Sequence, residues 1–175
     1  MRWGHEMNGH WYPWSANPRA YVRAWRHIVT LFREEGATNA RFVWSVNANL
    51  WQSQRTWERG IMAYYPGDAY VDWVGSTLIG FRGGDRSVAA YAPRVDALQR
   101  FGKPILLTEV NVDFPQRAPF LRDLRAYLRR SPWVRGLVLS QVFSRGVATG
   151  ATSGQLDWST YDDPIASREF AGIMR

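Results

Sequence analysis

Cysteine is missing altogether from the 175 residues, so no disulfide framework holds this fold. Lysine is nearly missing too: of 22 basic residues only Lys103 is one, and the rest are arginines. No run of about eighteen apolar residues occurs, which argues against a membrane-spanning helix, and no membrane partner is expected. The G-x-G-x-x-G phosphate loop follows none of the apparent strands; FRGGDRS has two glycines at the wrong spacing. A zinc-protease helix would read H-E-x-x-H, with both imidazoles one turn apart on one face. The stretch HEMNGH instead sets His5 and His10 about 140° from each other on a helix, and Asn8-Gly9 between them signals a turn. Only one further histidine exists, so neither a metal nor any other cofactor is expected.

What is abundant is aromatic. Phe, Trp and Tyr make up 15% of the chain, and ten of them are Trp. Rings pack cores well, but they also form flat platforms for ligands with apolar faces. The net charge of +7 suggests nucleic acid at first sight. Yet Arg19, Arg23, Arg26, Arg33, Arg122, Arg125, Arg129 and Arg130 are spread over helix faces, most with acidic neighbours. That is the pattern of a solvated surface, and no nucleic-acid partner is expected. The length fits one domain with a sizeable core.

Periodicity organises the chain into alternating strands and helices. A first strand is expected to end near Glu6. Asn17-Pro18 then opens a helix with Tyr21, Trp25, Ile28, Val29 and Phe32 on one face, closed by Gly36. Strands are expected over Ala40 to Asn47, VDWVGSTLIG, KPILLTEVN and VRGLVLSQVF, separated by helices at Thr56 to Tyr65, Ser87 to Phe101 and Arg117 to Arg130. Asp163-Pro164 starts a last helix that runs to Met174. Strands apolar on both sides, each followed by a helix, imply a parallel sheet under helices. An open doubly wound sheet, a full barrel and part of a barrel all fit this series.

In a (β/α)8 barrel, chemistry gathers at the carboxyl ends of the strands. Polar residues collect there: Glu6, Asn47, Glu109 with Asn111, and Gln141 with Ser144. Strict alternation along KPILLTEVN places Ile105, Leu107, Glu109 and Asn111 on one face, with Glu109 capping an apolar column. The carboxylate could be an ion-pair partner for one of the many arginines. Two glutamates at two parallel strand ends, in a Trp-rich bowl, also fit glycoside hydrolysis, which needs one carboxylic acid and one carboxylate across the sugar carbon.

The stretches RWGHEMNGHWYPW, YVRAWRHIVTLFREEGATNARFVWSVN, YYPGDAYVDWVGS and KPILLTEV resemble glycoside hydrolase family 26, most strongly from Arg2 to Gly75. The resemblance implies an α/β fold of the parallel (β/α)8 TIM-barrel type. It implies a retaining endo-acting hydrolase of a β-glycan such as β-mannan. Glu6 of HEMNG matches the acid/base that ends strand four, and Glu109 of LLTEV the nucleophile that ends strand seven. His5 matches a sugar-contacting position and Trp11 part of the subsite floor, while Trp14 either extends that floor or packs the loop beside Pro13. The resemblance further implies a polysaccharide partner, a monomer when complete, and secretion, although this chain shows no signal peptide. The alternative is a non-catalytic homologue or fragment that at most binds polysaccharide.

On this match the chain is an incomplete barrel, strands four to eight with their helices, lacking the first three strand-helix units. A full barrel takes roughly 250 residues. Residues 1–175 would then leave sheet edges and inner faces open, and such surfaces aggregate. Two departures stand out. Ser76-Thr77-Leu78-Ile79 replaces an acidic residue and a Tyr that supports the nucleophile, and Gln141-Val142-Phe143 stands where a sugar-stacking Trp is common.

Overall fold

The computed structural model describes residues 1–48, 51–80, 87–112, 116–140, 143–144, 156–157 and 164–173. Four parallel strands form one sheet in the order β1 (Val43–Asn47), β2 (Trp73–Gly80), β3 (Ile105–Val112) and β4 (Val134–Leu139). Between them run α2 (Gln54–Met62), α3 (Val88–Ala97) and α4 (Arg117–Arg129), with α1 (Pro18–Glu34) before β1 and α5 (Pro164–Ile173) last. Two residues, Phe143–Ser144, pair antiparallel with Leu156–Asp157 as β5 and β6. Consecutive parallel strand order, with the right-handed crossover that βαβ units favour, puts the connecting helices on one face of the sheet. That is the arrangement of a barrel wall. Among the described residues no helix is long and apolar enough to cross a membrane.

The helix signals hold. Asn17 Oδ1 accepts the Ala20 N–H at 3.0 Å, and Pro18 opens α1. Tyr21, Trp25 and Val29 turn inward. The helix-facing side of the sheet is sealed by rings: Trp44 lies edge-on to Tyr65 and Phe101, while Trp25 and Phe32 both meet Phe42. Trp25, Trp44 and Trp57 are at most 1% exposed, which makes them the large anchors of this layer. Burying each such side chain contributes about 2–3 kcal/mol, before the entropy of ordering it. The cap residue Asp163 and the end at Met174 lie outside the described residues, as do 81–86 of FRGGDRS and Gln141 and Val142.

Two expectations are corrected. First, no strand ends at Glu6. The opening segment runs along the free edge of β1, where Val43 N–H donates to the Met1 carbonyl at 2.8 Å and Glu6 N–H to the Ser45 carbonyl at 2.8 Å. Between those contacts Gly4 and Glu6 both take φ of +54°, which breaks the pleat. The segment docks on the sheet as a turn instead of extending it. Gly4 has a second constraint, because a Cβ there would sit 2.8 Å from the Tyr21 ring.

Second, β3 does not alternate strictly. Ser76 is level with Leu107 but Thr77 with Glu109, so Thr108 is an extra residue, and β4 shows the same skip between Leu107 and Val110. This is a β-bulge. Paired residues in a parallel sheet point the same way, and successive residues of β2 point oppositely. Ile105 and Leu107, level with Val74 and Ser76, therefore face the helices. Glu109 and Asn111, level with Thr77 and Ile79, face the inner side. The apolar column and the carboxylate belong to different faces.

The inner face is close-packed at its centre. A Cβ on Gly75 would stand 2.7 Å from Thr108 Cγ2 and 3.0 Å from the Leu106 carbonyl oxygen. Glycine lets three strands approach there. Toward β4 the same face is open: Val138, one position beyond Leu137 and so turned to the inner side, is 50% exposed. Substituting Gly75→Ala is expected to cost about 1–3 kcal/mol by forcing Thr108 and β3 aside. A lowered urea midpoint with unchanged slope would report it, and an unchanged midpoint would refute the crowding.

Candidate active site

Glu6, placed by the turn at the β1 edge, is 8% exposed, and both carboxylate oxygens are held. Trp11 Nε1–H donates to Oε2 at 2.9 Å and Asn47 Nδ2–H to Oε1 at 2.7 Å. Asn47 stands at the carboxyl end of β1. Its backbone is gripped in turn by Asn8, whose Nδ2–H donates to the Asn47 carbonyl while Oδ1 accepts the Asn47 N–H, both at 2.8 Å. The Asn8 amide thus acts as one more peptide unit at the end of β1. It fixes the loop that carries Glu6. Holding a non-glycine residue at positive φ costs of order 1–3 kcal/mol, and these paired contacts are what over-determine it.

Glu109 lies on β3, with Thr77 of β2 between it and Asn47 in the register. Two interstrand steps separate those backbones by roughly 9–10 Å. Glu6, held by Asn47 of β1, and Glu109 of β3 thus stand at the carboxyl end of the sheet on either side of β2. Arg2 Nη1 donates to Glu109 Oε1 and forms its ion pair. The same guanidinium donates from Nε to Ser45 Oγ at 3.2 Å and from Nη2 to Thr77 Oγ1 at 3.3 Å. Ser45 Oγ and Thr108 Oγ1 are 2.7 Å apart and complete a polar layer below the carboxylate. The bulge matters here, since it turns Thr108 and Glu109 to the same side in succession.

His5 and the aromatic loop wall the space. His5 Nε2 and the Tyr12 hydroxyl are 3.1 Å apart, Tyr12 stacks on Trp14 at 4.4 Å and 13°, and Trp14 Nε1–H donates to the His5 carbonyl at 2.9 Å. Burial lowers the His5 pKa below 6.5, the Arg2 charge lowers it further, and the charges of Glu6 and Glu109 oppose. Tyr12 is raised above 10.0 by burial first and by the same two glutamates next. Both side chains therefore sense both carboxylates.

Of the residues singled out in the sequence, His5, Glu6, Trp11 and Trp14 meet in one loop, and Glu109 faces the same end of the sheet. His10 turns away to Trp11 and Trp51, at 5.2 and 5.8 Å between ring centroids. Among the described residues no group of three or more His, Asp or Glu could hold a metal. Sequence reasoning missed Arg2, Asn8 and Tyr12. The 76–79 run lacks the acidic residue and Tyr that would support Glu109, and Arg2, which also donates to Thr77, binds the carboxylate. Phe143 falls in β5, and its side chain lies outside what the structure describes.

The model of glycosyl hydrolase family 26 matches residues 1–127. The chain is 31% identical over 121 residues to endoglucanase H of Acetivibrio thermocellus, covering 60% of this chain and 13% of that protein. It is 33% identical over 79 residues to mannan endo-1,4-beta-mannosidase A and B of Caldalkalibacillus mannanilyticus, covering 40% of this chain and 14% of that one. The chain thus spans less than a sixth of the length of these curated relatives. Among solved structures, a β-mannanase from Bacteroides ovatus aligns with a TM-score of 0.67 at 20% identity, over 99% of this chain and 49% of that one. That likeness is one of fold.

The shift of His5 has a sign that can be checked. An imidazole held below 6.5 favours the neutral form, so stability is complete above the unfolded value and is lost as pH falls through the folded one. Proton NMR of the His5 ring should give a midpoint under 6.5, and Arg2→Met should move it upward. A midpoint unmoved by that substitution would contradict the contact between these charges.

Proposed function

The chain belongs to glycosyl hydrolase family 26, and on that premise we propose that it hydrolyses internal β-linkages of a polysaccharide such as β-mannan with retention of configuration. Glu6 is the acid/base and Glu109 the nucleophile. The observation that carries this reading is their shared outlook: two carboxylates at the carboxyl end of a parallel sheet, on either side of β2, both sensed by His5 and Tyr12.

In the first step, Glu109 attacks the anomeric carbon, and the bond from that carbon to the bridging oxygen breaks. The departing oxygen keeps the electron pair and takes the proton of Glu6. Arg2 binds Glu109 Oε1, which leaves Oε2 as the attacking oxygen. In the second step, Glu6 removes a proton from water as the water oxygen attacks the same carbon and releases Glu109. The Trp11 and Asn47 donors orient the Glu6 carboxyl, and the second lone pair of each oxygen stays free for these transfers. His5 and Trp11 contact the sugars, and Trp14, stacked on Tyr12 and bonded to the His5 carbonyl, holds that wall in place.

The sheet is one side of a barrel. In this reading β1 to β4 are the last four strands of the barrel, the opening segment to Glu6 stands in place of the fourth, and the first three strand-helix units complete the bowl and cover the open inner face. The whole protein is a monomer, acting outside the cell on polymer.

Glu109→Ala and Glu6→Ala should each lower turnover of soluble β-mannan by at least about 10³-fold. Proton NMR should show the β-anomer as the first product. An α-anomer appearing first would overturn retention, and full activity in either variant would overturn the assignment. Binding by the unaltered protein without release of reducing ends would favour the non-catalytic reading.

A further inference from the structure

One tryptophan lies outside both the core and the catalytic loop. Trp51 is 71% exposed, the most exposed large hydrophobic side chain among the described residues, while Trp25, Trp44 and Trp57 are all but sealed. It follows the carboxyl end of β1, the end at which Asn47 holds Glu6. It is not adrift in solvent. Its ring stands at 90° to Trp11 with centroids 5.7 Å apart, and His10 touches both, at 5.8 Å from Trp51 and 5.2 Å from Trp11. The three rings pack against one another, yet with 71% of its surface exposed Trp51 still presents much of its indole to solvent. A braced, outward-facing indole is a stacking platform already ordered before any ligand arrives.

We propose that Trp51 forms a further sugar-binding subsite for a β-linked glycan, on the leaving-group side of the cleavage point. The inference rests on the reading of Glu6 as the acid that protonates the departing oxygen. The retained sugar then sits over Glu109, and the oxygen to be released lies toward Glu6. Trp11 donates to the Glu6 carboxylate and Trp51 packs against Trp11, so departing sugars that pass over Trp11 would meet Trp51 next. Trp11 supports the first of these and Trp51 the next. The C–H face of a pyranose is apolar, flat and about as broad as an indole, so stacking needs no charged group at this position.

The test compares a long substrate with one whose departing part ends before Trp51. On soluble β-mannan, Trp51→Ala should lower kcat/KM about tenfold relative to kcat/KM on an aryl β-mannobioside, the scale of one lost stacking contact. Trp51→Phe should restore most of the difference. Equal losses on both substrates, or no loss on the polymer, would overturn the subsite. A separate measurement keeps this apart from the hydrolase reading. In a Glu109→Ala background, retardation in native gels containing β-mannan or mixed-linkage β-glucan reports binding alone. Weaker retardation on adding Trp51→Ala supports the subsite even where no reducing ends are released, and unchanged retardation overturns it.

Discussion

The guanidinium of Arg2 reaches three strands at once: Ser45 on β1, Thr77 on β2 and Glu109 on β3. These contacts lie on the inner side of the sheet, where Gly75 permits the strands to crowd together and Thr108 completes the polar layer. A carboxylate there without a counter-charge would carry a desolvation cost, and two hydroxyls would lose a donor. The cation also couples the site to the chain's first residues, because Met1 and Glu6 bond to the β1 edge on either side of it. Local order in the opening turn and the position of Glu109 are therefore one problem with one solution.

Glu6 and Glu109 are supported by different means. Two neutral donors, an indole and an amide, hold Glu6, while one cation holds a single oxygen of Glu109. In the proposed mechanism Glu6 exchanges a proton at each turnover, and the two neutral donors orient its carboxyl. As the proposed nucleophile, Glu109 would present an oxygen in a fixed direction, and a forked guanidinium anchored on two hydroxyls suits that. The asymmetry of the two environments parallels the asymmetry of the two proposed roles.

Much of this was legible in the sequence, for reasons that differ by residue. Helix α1 was plain because Asn17 and Pro18 state its start and five apolar positions keep a 3.6-residue period. The strand at KPILLTEVN was equally plain, but its bulge was not. Alternation within one strand says nothing about the spacing of its neighbours, and the extra residue at Thr108 exists only as a mismatch of register with β2 and β4. The opening segment looked like a strand because its left-handed residues include Glu6, a type that seldom adopts that conformation. Arg2 was hidden by abundance. Among so many arginines, most spread over helix surfaces, nothing local marks Arg2 as the partner of Glu109.

The extra residue in β3 has a bearing on how such strands vary. Ordinarily a one-residue insertion or deletion within a strand reverses every side chain beyond it. Here Leu106 and Thr108 precede the irregularity on the inner side and Glu109 follows it on that side. Removing Thr108 would leave a regular strand with Glu109 still facing inward, at the expense of the hydroxyl that meets Ser45. Chains one residue shorter at this point can therefore present the same carboxylate, and an alignment gap beside it would not mean that the carboxylate had moved to the other face.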